Sequence, residues 1–170
     1  LIEGILTQAH RPLLGLPADA FPPEKAMYLS ILQAGKLHRE EGGLLGFRLP
    51  PEADDLANLR PVLQQMHALL RADDLAKVPV PTLFAALKAP PFGVRDGLLH
   101  LLLAVFLRIH ERDVAVYEDG VFVRRVAPEH VQRLAKAPER FALQHCAVEG
   151  VRADVFGRLL AVVGAEGPKG

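Results

Sequence analysis

The run Leu98-Leu99-His100-Leu101-Leu102-Leu103-Ala104-Val105-Phe106-Leu107 constrains this chain more than any other stretch, because it is apolar on nearly every side of the helix it predicts. Such a helix has to be enclosed by other elements. His100 and Arg108 interrupt the apolar segment from Gly97 to Ile109, so it falls well short of the roughly 20 apolar residues needed to cross a bilayer. The spacing predicts a helix over about 95–111, with Leu102, Val105, Phe106 and Ile109 in the core. Asp96, His100, Arg108 and Arg112 fall at four-residue steps, with Ala104 between them, and form one narrow polar stripe.

The flanking sequence supplies candidates for the enclosure. Asp119-Gly120 lies between Val114-Ala115-Val116-Tyr117-Glu118 and Val121-Phe122-Val123, a strong hairpin signal, which predicts strands over 114–118 and 121–126 with Tyr117 opposite Phe122. Upstream, Asp54 and Asp55 can cap a helix in which Leu56, Leu59, Leu63, Met66 and Leu70 recur at helical steps up to Arg71. A short helix from Thr82 to Lys88 follows, and Ala89-Pro90-Pro91-Phe92-Gly93 breaks the chain. Downstream, Pro128 opens a helix that Pro138 closes, 141–148 reads as a strand, and Val155, Phe156, Leu159, Leu160 and Val163 mark a last helix.

Nearer the start, Pro22-Pro23-Glu24 opens a helix over about 23–34, which Gly35 stops. The segment from Lys36 to Pro51, rich in Gly, Pro and charge, reads as an exposed connection and a soft boundary. The expected fold is mainly α with a β-hairpin (α+β), a winged helix-turn-helix-like core with flanking helices. Its expected organisation is an N-terminal helical segment and linker over 1–50, a winged-helix-like domain over 51–148, and a C-terminal helix over 149–170.

Composition limits the function classes. Half of the 170 residues are hydrophobic, enough for a buried core, and Lys plus Arg balances Asp plus Glu at 20 each, so no net field draws the chain to nucleic acid or an anionic membrane. The single cysteine, Cys146, excludes an intrachain disulfide framework and points to a reducing, cytoplasmic setting. The chain shows no signal peptide. It opens without Met on Leu1-Ile2-Glu3-Gly4-Ile5-Leu6, which reads as the tail of a helix already under way and predicts an internal piece of a larger protein.

Three phrases carry a resemblance: Leu87-Lys88-Ala89-Pro90-Pro91-Phe92-Gly93-Val94-Arg95-Asp96-Gly97 with the leucine-rich helix after it, Tyr117-Glu118-Asp119-Gly120-Val121-Phe122-Val123, and Pro138-Glu139-Arg140-Phe141. Over about residues 80–143 the chain resembles winged-helix regions of very large bacterial proteins, among them P-loop ATPases of BREX-type phage-defence systems. The resemblance implies a winged helix in an antiviral-defence context, lying downstream of an ATPase. This chain has no Gly-x-x-x-x-Gly-Lys-Ser/Thr loop, so no ATP-binding residue carries over.

The chemistry-bearing residues point the same way. A groove-reading helix must offer polar side chains to base edges, and the 95–111 helix offers almost none. The basic residues Arg124, Arg125, Arg133 and Lys136, with Arg140 beyond them, could hold backbone phosphates without reading sequence. Glu118, Asp119, Glu129 and Glu139 lie among them, as on an ordinary solvated surface. None of the seven histidines pairs with another at the i, i+4 spacing of a helical metal site, so no metal ligand is assigned. His100 is expected at the core edge, hydrogen-bonded to Asp96, and Cys146 as a small buried hydrophobe. No nucleophile elbow or nucleotide loop stands out.

These readings predict a non-catalytic scaffold or interaction module, without a cofactor, that packs against other domains of its parent protein or a partner chain. The alternative is a weak, sequence-independent nucleic-acid-binding winged helix using Arg124, Arg125, Arg133 and Lys136. A weaker third is an enzyme completed by other parts of the parent.

Overall fold

A computed structural model describes residues 1–73 and 76–146. The short helix α1 (Ile2–Thr7) is followed by α2 (Pro23–Met27), which a looser π-helical stretch, Tyr28–Gln33, prolongs without a break. Between them, the loop before α2 is fastened by Lys25. Its ammonium group is buried and donates to the carbonyls of Pro17, Ala18 and Ala20 at 3.1, 2.6 and 2.9 Å. Three donors meet three acceptors, the condition under which a buried ammonium is tolerated.

The stretch read as an exposed connection folds instead as a hairpin of β1 (His38–Glu41) and β2 (Leu44–Phe47), with His38 opposite Phe47. Its turn is Gly42-Gly43, both at positive φ, the conformation a tight two-residue hairpin turn requires and glycine adopts without a steric penalty. Leu37 and Phe47 enter the core, while Arg39 and Arg48 both pair with the exposed Glu41. The charge that suggested a loop lies on the outer face.

Helix α3 (Leu59–Arg71) starts later than the Asp54-Asp55 signal. Pro61 is the reason: a proline deeper in the helix would clash with the carbonyl a turn before it, so the helix can only begin just ahead of it. Asp55 still serves the helix start, accepting from the Leu59 and Arg60 N–H groups at 2.9 and 2.7 Å. Leu56 is left outside at 92% exposure.

A two-residue strand β3 (Val78–Pro79) leads into α4 (Val80–Lys88), and α5 (Asp96–Ile109) follows. Then come β4 (Val114–Glu118), β5 (Val121–Val123), α6 (Pro128–Lys136) and β6 (Phe141–His145). The Asp119-Gly120 turn and the pairing of Tyr117 with Phe122 are as the sequence predicts, the rings meeting edge-on at 5.9 Å. Strand β5 stops at Val123, short of 126, because the chain bends at Arg124 and Arg125 towards Pro128.

The sheet is larger than a hairpin. Strand β6 inserts between β3 and β4, giving the antiparallel order β3-β6-β4-β5, so the fold is a mixed α and β arrangement, with more strand than one hairpin supplies. The expected final helix and residues 147–148 of the expected last strand lie outside the described residues.

Helix α5 is the centre of the core. Leu99 and every residue from Leu101 to Leu107 are 8% exposed or less, enclosed by α1, α3, α4 and β2. Ile109 is only half-buried, at the helix end. Residues from Ile5 through Phe47 to Leu143 belong to one continuous apolar cluster. His100 does not bond Asp96: that carboxylate pairs with Lys88 at 2.8 Å, and His100 lies edge-on to Phe84 with its Nε2 buried and unbonded. At the first turn of α5 the carboxylate points back towards the α4 terminus, where the longer lysine reaches it. Among the described residues, no helix is long and apolar enough to cross a membrane.

Candidate functional site

The basic residues on and after the β4–β5 hairpin divide into two groups. Arg133, on α6, forms a two-pronged pair with Glu118, Nε to Oε1 at 2.6 Å and Nη2 to Oε2 at 2.8 Å. Arg140 grips Asp119 and approaches Glu118 at 3.5 Å. These contacts hold both carboxyls below their usual range, Arg133 acting on Glu118 and Arg140 on Asp119. Arg133 is thus neutralised within the fold. Arg124, Arg125 and Lys136 are exposed. Arg124 and Arg125 border a groove of about 430 Å³ together with Arg108 and Arg112 from the end of α5 and the turn after it, so the fold adds two cations to the pair the sequence points to. Arg108 is itself paired with Glu111.

The histidines divide as well. His38 is buried in the N-terminal region, its Nε2 2.7 Å from the Ala9 carbonyl and its Nδ1 2.8 Å from the Tyr28 hydroxyl. A carbonyl only accepts, so Nε2 carries the proton and Nδ1 accepts from Tyr28. Phe47 stacks on the ring at 4.7 Å. Burial pushes the His38 pKa down, and the same burial raises the Tyr28 pKa.

His67, His110 and His145 instead gather around one carboxylate, that of Asp113. His67 Nε2 and His110 Nδ1 each lie 3.1 Å from Asp113 Oδ2, and His145 Nε2 lies 4.0 Å from it. The rings of His67 and His110 stack at 4.3 Å, and His145 meets His67 edge-on at 5.5 Å. Burial, followed by the neighbouring His110, pushes the His67 pKa down, which keeps its imidazole neutral near pH 7.

Each member is fixed by a different element. His67 projects from α3 beside its apolar face, Asp113 sits in the turn between α5 and β4, and His145 closes β6. Pairing of β4 with β6 sets Val114 opposite His145, and the Cys146 N–H donates to the Asp113 carbonyl at 2.8 Å, so the two strands hold Asp113 and His145 together. A cavity of about 480 Å³ opens beside them, lined in part by Gln64, His67, Arg71 and His110. Spacing along the sequence could not reveal this group, since only His110 and Asp113 are near neighbours in the chain and His67 and His145 reach them through long-range packing and pairing. The local hints are a histidine beside the apolar face of α3 and the His110–Asp113 spacing of three residues.

Cys146 is half-buried and not a core residue, its Sγ 3.9 Å from the Gln144 carbonyl. At the end of β6 no further strand among the described residues covers it. Comparison of the chain with protein-family models, with curated proteins and with solved structures finds no match.

Proposed function

We propose that this chain is a non-catalytic, winged-helix-like interaction module of a larger bacterial multidomain protein, of the defence-associated kind its phrases resemble. The observation that carries the reading is the burial of α5: the helix that follows the turn, which a groove-reading protein lays on bases, has Leu101 to Leu107 within the core. The order of α3, α4, α5 and the β4–β5 hairpin supports the winged-helix-like description, with β6 as an added strand. The hairpin end offers a partner Val121 and Phe122, 70% and 55% exposed, beside Arg124 and Arg125. Apolar side chains flanked by arginines suit a protein surface carrying carboxylates.

A second reading, weak and sequence-independent nucleic-acid binding, is favoured by the groove that Arg108, Arg112, Arg124 and Arg125 share. Lys136 could add to it, and Arg133 contributes little while paired with Glu118. Fluorescence anisotropy with several labelled duplexes across a range of salt concentrations tests both. The expected result is no binding, or weak binding that is equal for all sequences. Replacing Arg124 and Arg125 by Ala then flattens any salt slope by about two units at most. One duplex bound some thousandfold more tightly than the others would overturn the module reading, because discrimination on that scale needs base contacts or shape readout.

A further inference from the structure

We propose that His67, Asp113 and His145 bind a divalent transition-metal ion of the Zn²⁺ class, tying α3 to the β4–β6 end of the sheet. The ligand atoms of these three side chains all lie within 4.8 Å of one another. Ligands of a tetrahedral ion bound at roughly 2.0–2.1 Å sit about 3.4 Å apart, so small side-chain rotations close the set. His67 Nε2 and Asp113 Oδ2 are already at 3.1 Å, and His145 Nε2 and Asp113 Oδ2 at 4.0 Å.

Two imidazoles and one carboxylate form a donor set for a borderline ion. They lack the oxygen-only shell that Ca²⁺ or Mg²⁺ takes and the thiolates that favour soft ions. His110 plays a supporting part. Its Nδ1 lies 3.1 Å from Asp113 Oδ2, the hydrogen bond by which a neighbouring group orients a ligating carboxylate, and its ring stacks on His67. The ion's remaining position would take water or a small ligand from the cavity that His67 borders.

The site also agrees with the way the fold is held. The backbones carrying Asp113 and His145 are fixed by the β4–β6 pairing, and α3 packs on β6. An ion here would therefore link helix and sheet without moving either.

The test is isothermal titration of the chelator-treated full chain with ZnCl₂, with CoCl₂ as a spectroscopic probe. The expected result is one equivalent of Zn²⁺ bound, a visible Co²⁺ spectrum of nitrogen and oxygen ligation without a thiolate band, and no competition from excess Mg²⁺. Asp113→Asn and His145→Ala each weaken Zn²⁺ binding by more than about 100-fold, and His110→Ala by roughly 10- to 100-fold. Cys146→Ser and His130→Ala leave it unchanged. Asp113→Asn preserves side-chain shape, and circular dichroism of each variant verifies folding, so lost binding is separable from lost structure. Absence of saturable one-to-one Zn²⁺ binding by the wild-type chain, or equal affinity in folded Asp113→Asn and His145→Ala, overturns the proposal.

Discussion

His38 and the group around Asp113 use the same side chain in opposite ways. At His38 each ring nitrogen has its own partner supplied by the fold, the Tyr28 hydroxyl on one side and the Ala9 carbonyl on the other, and the ring is closed off from water. Around Asp113, three imidazoles converge on one carboxylate oxygen beside an open cavity. The first arrangement makes histidine a structural strut. The second concentrates donor atoms where something else can reach them. The difference lies in what surrounds the rings, a closed interior at His38 and a carboxylate shared beside an open cavity at Asp113, and it indicates which histidines the structure needs in order to fold.

The largest expected effect tests the shared core beneath the Asp113 group. Phe106, fully buried, lies 4.6 Å from the His110 ring and 6.4 Å from the His67 ring. Phe106→Ala is expected to cost about 3–5 kcal/mol in urea unfolding through lost contacts and a cavity. A cost under about 1 kcal/mol would mean that α5 lies at the surface.

Next comes His38→Ala, which leaves the Ala9 carbonyl and the Tyr28 hydroxyl without this partner in the interior. It is expected to cost about 2–4 kcal/mol by the same measurement. An equal, small cost at His38 and at His145 would erase the contrast between the two regions.

A pH series sharpens the comparison further. Burial holds the folded His38 pKa below its unfolded value, so at neutral pH and above both states are uncharged and the group adds no pH dependence. As pH falls below the unfolded value, about 6.5, the unfolded chain takes up a proton the folded one resists, and stability declines until the folded group also titrates. His67 and His100 are displaced in the same direction, burial being the first cause at each, so the wild-type slope contains all three. His38→Gln should reduce that slope by up to ~1.4 kcal/mol per pH unit between about 6.5 and the folded value. An unchanged slope would show that His38 is open to protons in the folded state.

The smallest effect is expected at His145→Ala in the presence of a chelator, a loss of about 1 kcal/mol or less. A loss as large as that at His38 would make His145 a second strut.

Parts of the molecule that rest on local chemistry were legible in the sequence. The apolar run from Leu98 to Leu107 specifies burial, and Asp119-Gly120 specifies both the turn and the opposition of Tyr117 to Phe122. Features that depend on distant pairing were not. Val78–Pro79 is too short to announce a strand, and nothing near Phe141 in sequence states that β6 enters between β3 and β4. The β1–β2 hairpin was hidden differently: its Gly-Gly turn is a recognised signal, but His-Arg-Glu-Glu reads as solvent-loving unless one alternates faces and places His38 inwards. The Asp113 group combines both obstacles, since its histidines come from a helix, a helix end and a strand and have no common spacing.

The three-pronged anchoring of Lys25 has a consequence for chemical reactivity. An amine must present a free lone pair to an acylating reagent, and this one is enclosed with its protons directed at Pro17, Ala18 and Ala20. Lys36 and Lys88 have about half of their side-chain surface in water. Amine-labelling mass spectrometry should therefore modify those two early and Lys25 last, at the rate at which the loop over 17–22 opens. The label at Lys25 becomes a clock for the release of that loop, readable without any probe added to the chain.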